Sequence, residues 1–301
     1  MHFSRTLAHP PSSRTSFRPA ASTNPISLGE LHVWTILLAG VAYWGNIARN
    51  SGYDVSISPT SLTDAFFGRG AFTIAAWAMV VVWVRAAAPR GSASRQQIAT
   101  AMAIGLLCMI PTRQTTIAAL LVLGVVLAMP SGTRRGRQVA ALLICLAIEM
   151  VWTSIYLLPL HDAVATLDVR AVQALLSLAG QTVSVHGNVV VNESAQFSIE
   201  VLAYCASSSP LASVGMAFVV TTLYCGRLPC RADLPWLAGA LFASIALTEL
   251  RLSLMTLGES NYLSIHDGDG GTVYTFFALG LAVLFPLVAA YRTPAAIERI
   301  A

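Results

Sequence analysis

The chain has 301 residues, 55% hydrophobic and 11% charged, with a mean hydropathy of +0.67. A soluble domain carries about twice that charge, so a water-facing globular fold is excluded and an all-α polytopic membrane protein is expected. The 18 basic residues other than histidine are all arginine and the net charge is only +4; without a concentrated basic face, a nucleic-acid partner is excluded as well.

Residues 1–29 hold Arg5, Arg14 and Arg18, many Ser and Pro, and no acid. That composition favours disorder. A disordered cytoplasmic tail is expected over 1–30, followed by a single transmembrane domain over 31–301; an organellar transit peptide has a similar composition. No small-residue cleavage site follows the first apolar run, which reads as a retained anchor. A crossing helix needs about 20 apolar residues, and runs near 31–48, 71–88, 96–110, 114–130, 139–160, 206–226, 234–257 and 273–291 predict eight spans. The third and fourth are short and meet at Pro111-Thr112-Arg113, which also fits a re-entrant pair.

The arginines orient these spans through the positive-inside rule. With the N-terminus in the cytoplasm, only Arg49, Arg69, Arg113 and Arg170 fall outside and Arg251 lies within a helix; the other thirteen fall inside or at the inner boundary. Both termini are therefore expected in the cytoplasm, with the longest loop, 161–205, outside. Its first half, AVATLDVRAVQALLSLAG (163–180), repeats apolar residues at Val164, Leu167, Ala171, Leu175 and Leu178. This predicts an amphipathic helix on the membrane surface. In the second half Val183 and Val185 alternate with polar residues, Gly187-Asn188 offers a turn, and Phe197, Ile199 and Val201 alternate again. A small β-hairpin leading to Cys205 is predicted.

Ionisable groups at membrane depth are costly and are functional candidates by default. Glu149 lies mid-span, and Glu249 and Arg251 lie in the outer half of the seventh span. An arginine there needs a carboxylate, carbonyls or water, so a purely structural ion pair of Arg251 with Glu249 or Glu149 competes with a functional role. His266 falls in the outer loop GESNYLSIHDGDGGTVY, with His161 and His186 as rival bases. The DGDGG run (267–271) lacks the alternating ligands and closing glutamate of a calcium loop and reads as a flexible turn. Of the five cysteines (Cys108, Cys145, Cys205, Cys225, Cys230), none has metal-site spacing and four fall in spans or inside, so no metal, cofactor or disulfide framework is expected. Cys205 is the exception. It opens the sixth span outside and is followed by Ser207, Ser208, Ser209 and Pro210, a setting that predicts a helix start favouring a thiolate. Cys205, Arg251 and His266 thus share one leaflet by topology: a thiol, a fixed cation and an imidazole, the groups that acyl transfer through a thioester requires.

Cys205 in AYCASS, Arg251 in TELR, His266 before GGTVYTFF, and the GNVVV…FSIEVLAYC approach together resemble the exosortase/archaeosortase family of multi-span cysteine transpeptidases. The resemblance covers about 135–291. It departs where that family has Ser-Gly after the cysteine and Asn three residues before the arginine: Ala206-Ser207 and Thr248 stand there, and a basic residue after the cysteine motif is missing. The resemblance implies cleavage of a C-terminal sorting signal (short motif, hydrophobic helix, basic tail) on exported proteins. Cys205 would be the nucleophile, Arg251 the oxyanion partner and His266 the acid. The acceptor nucleophile is left open. Two other classes fit the composition: a transporter with Glu149, Glu249 and Arg251 along a polar path, and a non-catalytic assembly factor for envelope polysaccharide or protein export.

Overall fold

The computed structural model describes residues 28–50, 70–87, 93–129, 133–155, 160–202, 205–266 and 268–292. The expected tail lies outside these residues up to position 27, and residues 28–30 already belong to the first helix. In chain order the elements are α1 (Leu28–Asn50), α2 (Ala71–Ala87), α3 (Arg95–Met109), α4 (Arg113–Ala128), α5 (Arg134–Ile155), α6 (Leu160–Leu178), β1 (Val183–His186), β2 (Val189–Asn192), β3 (Phe197–Glu200), α7 (Leu211–Tyr224), α8 (Leu234–Met255), α9 (Glu259–His266) and α10 (Asp269–Arg292). The chain is mostly helical, with one small sheet. Local sequence sets several boundaries. Ser94 and Gln97 form a capping box at the start of α3. Thr112, behind Pro111, caps α4 through the Thr115 N–H. Pro235 occupies the first turn of α8, where its missing N–H costs nothing.

The eight full-length spans are not borne out. The segment Arg231–Met255, which contains α8, and α10 are long and apolar enough to cross a membrane. The apolar helices Ala71–Val84, Arg113–Ala128 and Leu211–Tyr224 are shorter; at 1.5 Å per residue each falls short of a hydrocarbon core of about 30 Å. α5 has 22 residues but opens with Arg134, Arg135 and Arg137 and carries Glu149.

Two apolar clusters organise the molecule. The larger joins α1 to α5 and α7 through residues such as Ile36, Tyr43, Trp77, Val80, Leu120, Leu143 and Leu223. At one end of this bundle Arg134 donates to the Gly226 carbonyl, the Arg135 guanidinium lies 4.5 Å over the Trp83 ring, and Arg227 pairs with Asp233. The smaller cluster sits at the opposite end and contains α6, the sheet, Ala206 and the C-terminal turn of α8, with residues of α9 packed against it.

The expected hairpin is a three-stranded antiparallel meander, β1-β2-β3, because Val189–Asn192 forms a middle strand. β1 and β2 are joined by Gly187-Asn188, with Gly187 at φ 64°, the left-handed conformation a tight hairpin turn requires of its first residue. The amphipathic helix is present as α6, but its faces are apportioned differently. Ala165, Val169, Val172 and Leu176 are buried against the sheet, whereas Leu167, Leu175 and Leu178 of the expected apolar stripe are 63%, 42% and 86% exposed. α6 therefore carries two apolar stripes, one internal and one facing out.

Candidate functional site

Cys205 does not begin a helix. α7 starts at Leu211, and its N-cap, Pro210, makes no side-chain cap. Residues 205–210 instead form a compact turn: the N–H groups of Cys205 and Ala206 both donate to the Leu202 carbonyl, at 2.9 and 3.1 Å. A helix dipole acts only within its first turn, so the thiol is not held by the terminus of α7. The serines serve the turn. Buried Ser207 donates its N–H and its hydroxyl to the two oxygens of Asp168 on α6, at 2.8 and 2.6 Å. The Ser208 carbonyl accepts from the Trp152 indole of α5 at 3.0 Å. Cys205 itself is half-buried against the smaller cluster.

Among the described residues Arg251 makes no ion pair, so the structural pairing with Glu249 or Glu149 is not realised. Its guanidinium lies 4.7 Å over the ring of Tyr274 on α10, and its buried Nε has no hydrogen-bond partner. The Tyr274 hydroxyl is 3.0 Å from the Thr248 hydroxyl, so the residue one turn before Arg251 holds the ring on which Arg251 rests. Glu249, buried on another face of α8, faces Asp168 and Ser207, and its Oε2 is unpartnered. Glu149 belongs to a separate network in the larger cluster, accepting from the Thr73 hydroxyl at 2.8 and 2.9 Å and from the Tyr43 hydroxyl at 3.1 Å.

His266 is not in a flexible loop. It ends α9, an eight-residue helix, and its ring stacks on Tyr262 with centroids 4.9 Å apart. Tyr262 in turn packs on Phe197 of β3 at 5.9 Å. Asp269, Gly270 and Gly271 of the expected turn form the first turn of α10; Asp267 lies outside the described residues. His186 is exposed at the end of β1, about 10 Å across the sheet from β3 at ordinary strand spacing. The side chain of His161 lies outside the described residues.

The fold thus brings the elements that carry the three expected residues to one cluster. Cys205 packs on it, Leu252 beside Arg251 belongs to it, and Tyr262 and Ile265 beside His266 flank it. None of the five cysteines is joined in a disulfide. Asp168 was missed from the sequence as a site residue. Its signal was the second stripe of α6, where it shares helical spacing with Ala165, Val172 and Leu176. Comparison with family models, with curated proteins and with solved structures returned no match.

Proposed function

We propose that this chain is a membrane-embedded, exosortase-like cysteine peptidase or transpeptidase acting on the C-terminal sorting signals of exported proteins, with both termini in the cytoplasm and its site on the extracytoplasmic side. The observation that carries the reading is the common cluster shared by the Cys205 turn, the end of α8 bearing Arg251 and the end of α9 bearing His266. Exposed Val82, Phe242, Phe276 and Phe277, each more than half accessible, support contact with lipid, since soluble surfaces rarely gather so many large apolar side chains.

In this reading the Cys205 thiolate attacks the carbonyl carbon of the scissile peptide. Arg251 stabilises the oxyanion, the C–N bond breaks, and the leaving amine takes a proton from His266. An acceptor nucleophile, or water, then gives its proton to His266 and attacks the thioester, releasing Cys205. The Tyr274 ring beneath Arg251 keeps the guanidinium plane in place. A transporter path joining Glu149 to Glu249 is less well supported, because the two carboxyls sit in separate networks.

The test is processing of an exported protein bearing a motif, a hydrophobic helix and a basic tail, co-expressed with each variant. Arg251→Lys is expected to lose about 10²–10³-fold in rate, because an ammonium cannot reproduce the planar fork. His266→Ala is expected to lose most activity, and hydroxylamine added to the wild type should yield a substrate hydroxamate. Undiminished processing by both variants would remove the roles given to Arg251 and His266, and no processing with the wild-type chain would leave the assembly factor.

A further inference from the structure

We propose that the free edge of β3 is a docking site for an extended peptide segment, which it delivers to Cys205 by main-chain pairing. The proposal rests on the reading of Cys205 as a nucleophile and names what that nucleophile is presented with.

The register fixes which groups of β3 are free. β2 and β3 pair antiparallel with Val190 opposite Ile199 and Asn192 opposite Phe197. The Val201 N–H donates to the carbonyl of its opposite residue, Asn188, at 2.8 Å. Antiparallel ladders alternate bonded and non-bonded pairs, so Phe197, Ile199 and Val201 direct their N–H and C=O groups toward β2. Ser198 and Glu200 direct theirs away. The sheet order ends at β3, and among the described residues no partner is found for those four groups. The side chains of Ser198 and Glu200 are exposed. The row is a template for another strand.

The same row ends at the turn that carries Cys205. Leu202 is the next outward position, and its carbonyl accepts the N–H groups of both Cys205 and Ala206. The chain therefore turns after Leu202, and Cys205 follows directly on the end of the unpaired edge. The opposite, apolar face of the strand is braced: Ile199 and Val201 are buried, and Phe197 packs on Tyr262, which stacks on His266. A strand added opposite Ser198 and Glu200 would run toward the thiol, beside the element that carries the imidazole. Main-chain pairing accepts any extended peptide and leaves selectivity to side chains. The occupant this favours is an extended, strand-forming stretch of polypeptide rather than a helix or a lipid headgroup.

The experiment uses the full-length chain in detergent micelles with Cys108→Ala, Cys145→Ala, Cys225→Ser and Cys230→Ser, so that Cys205 is the reporting thiol. The probes are acetyl-alanyl and acetyl-tetraalanyl chloromethyl ketones, from which the thiolate displaces chloride to leave a thioether. Two or three added main-chain hydrogen bonds should make the longer probe react about tenfold faster or more. Ser198→Pro removes an outward N–H without touching the ladder to β2; it should abolish this advantage while leaving the rate with iodoacetamide unchanged. N-methylated tetraalanyl probe, tested on unaltered β3, should lose the advantage equally and does not depend on the variant folding. Equal rates for the short and long probes, or a length advantage that survives N-methylation, would overturn the docking site while leaving Cys205 a reactive thiol. A Cys205 inert to iodoacetamide would overturn the nucleophile as well. Conversion of a detergent-stable dimer to monomer by Ser198→Pro would assign the edge to a second copy of the chain and overturn the proposal.

Discussion

Asp168 takes both donors of Ser207 while buried, so one side chain ties the turn that carries Cys205 to α6, beside the Trp152 bond from α5. Asp168→Ala would strand a buried N–H and a buried hydroxyl, and an unsatisfied buried donor costs about 1–3 kcal/mol. The expected loss of stability is about 2–4 kcal/mol, read by denaturant or thermal unfolding in detergent. Ser207→Ala removes one of the two donors and should cost less, about 1–2 kcal/mol; equal losses would mean that the backbone bond contributes nothing. Glu249 faces the same carboxylate. Glu249→Gln offers Asp168 an amide donor in the same volume and should hold or raise stability by about 1 kcal/mol in the same assay. None of this was legible from residue type. Asp168 lies on a helix whose more conspicuous stripe, Val164 to Leu178, faces outward, and its role depends on a partner 39 positions away. Glu249 and Arg251 were legible as polar groups in an apolar run, but their partners were not: Tyr274 and Ser207 come from elements that only folding brings alongside.

At the scale of elements, the corner between α9 and α10 positions His266, and glycine makes it possible. A Cβ on Gly268 would come within 2.9 Å of the Ser264 carbonyl oxygen, and one on Gly271 within 2.9 Å of that of Ile265. These contacts are with backbone, which cannot rotate away. Gly271→Ala should therefore push the two helix ends apart, at a cost of about 1–3 kcal/mol, and weaken the Tyr262–His266 stack. Altered near-ultraviolet circular dichroism together with a lowered unfolding midpoint would check this. The sequence suggested a flexible turn because GDGG composition signals one in isolation, whereas here the same residues allow close packing. α9 escaped notice because eight residues of mixed polarity (ESNYLSIH) hold no repeating stripe. The strands were more legible, since alternation in 183–185 and 197–201 marked two of the three. VVVN (189–192) alternates in burial, with Val190 and Asn192 buried, but its three successive valines hide that alternation in residue type.

Over the whole molecule, packing brings Arg134, Arg135 and Arg227 to one end of the larger bundle. Arg134, Arg135, Arg227 and Arg231 gather with the start of α5, the end of α7 and the start of α8, opposite the sheet and Cys205. Reporter fusions follow from the proposed topology: one at residue 301 should be active in the cytoplasm, and one inserted after residue 190 should be active outside. Reversal of the two would remove the shared leaflet on which the proposed site depends. What hydropathy overstated was span length, because runs read as full crossings are helices of 14 to 16 residues in α4 and α7. The central claim, that Cys205 is a nucleophile, is tested most directly by the contrast among the five cysteines in processing of a substrate with a C-terminal sorting helix. Cys205→Ala should abolish the cleaved product in a protein that still folds and inserts, while Cys108→Ala, Cys145→Ala, Cys225→Ala and Cys230→Ala each retain it. Full processing by the Cys205→Ala protein, or equal loss with Cys225→Ala, would contradict the account.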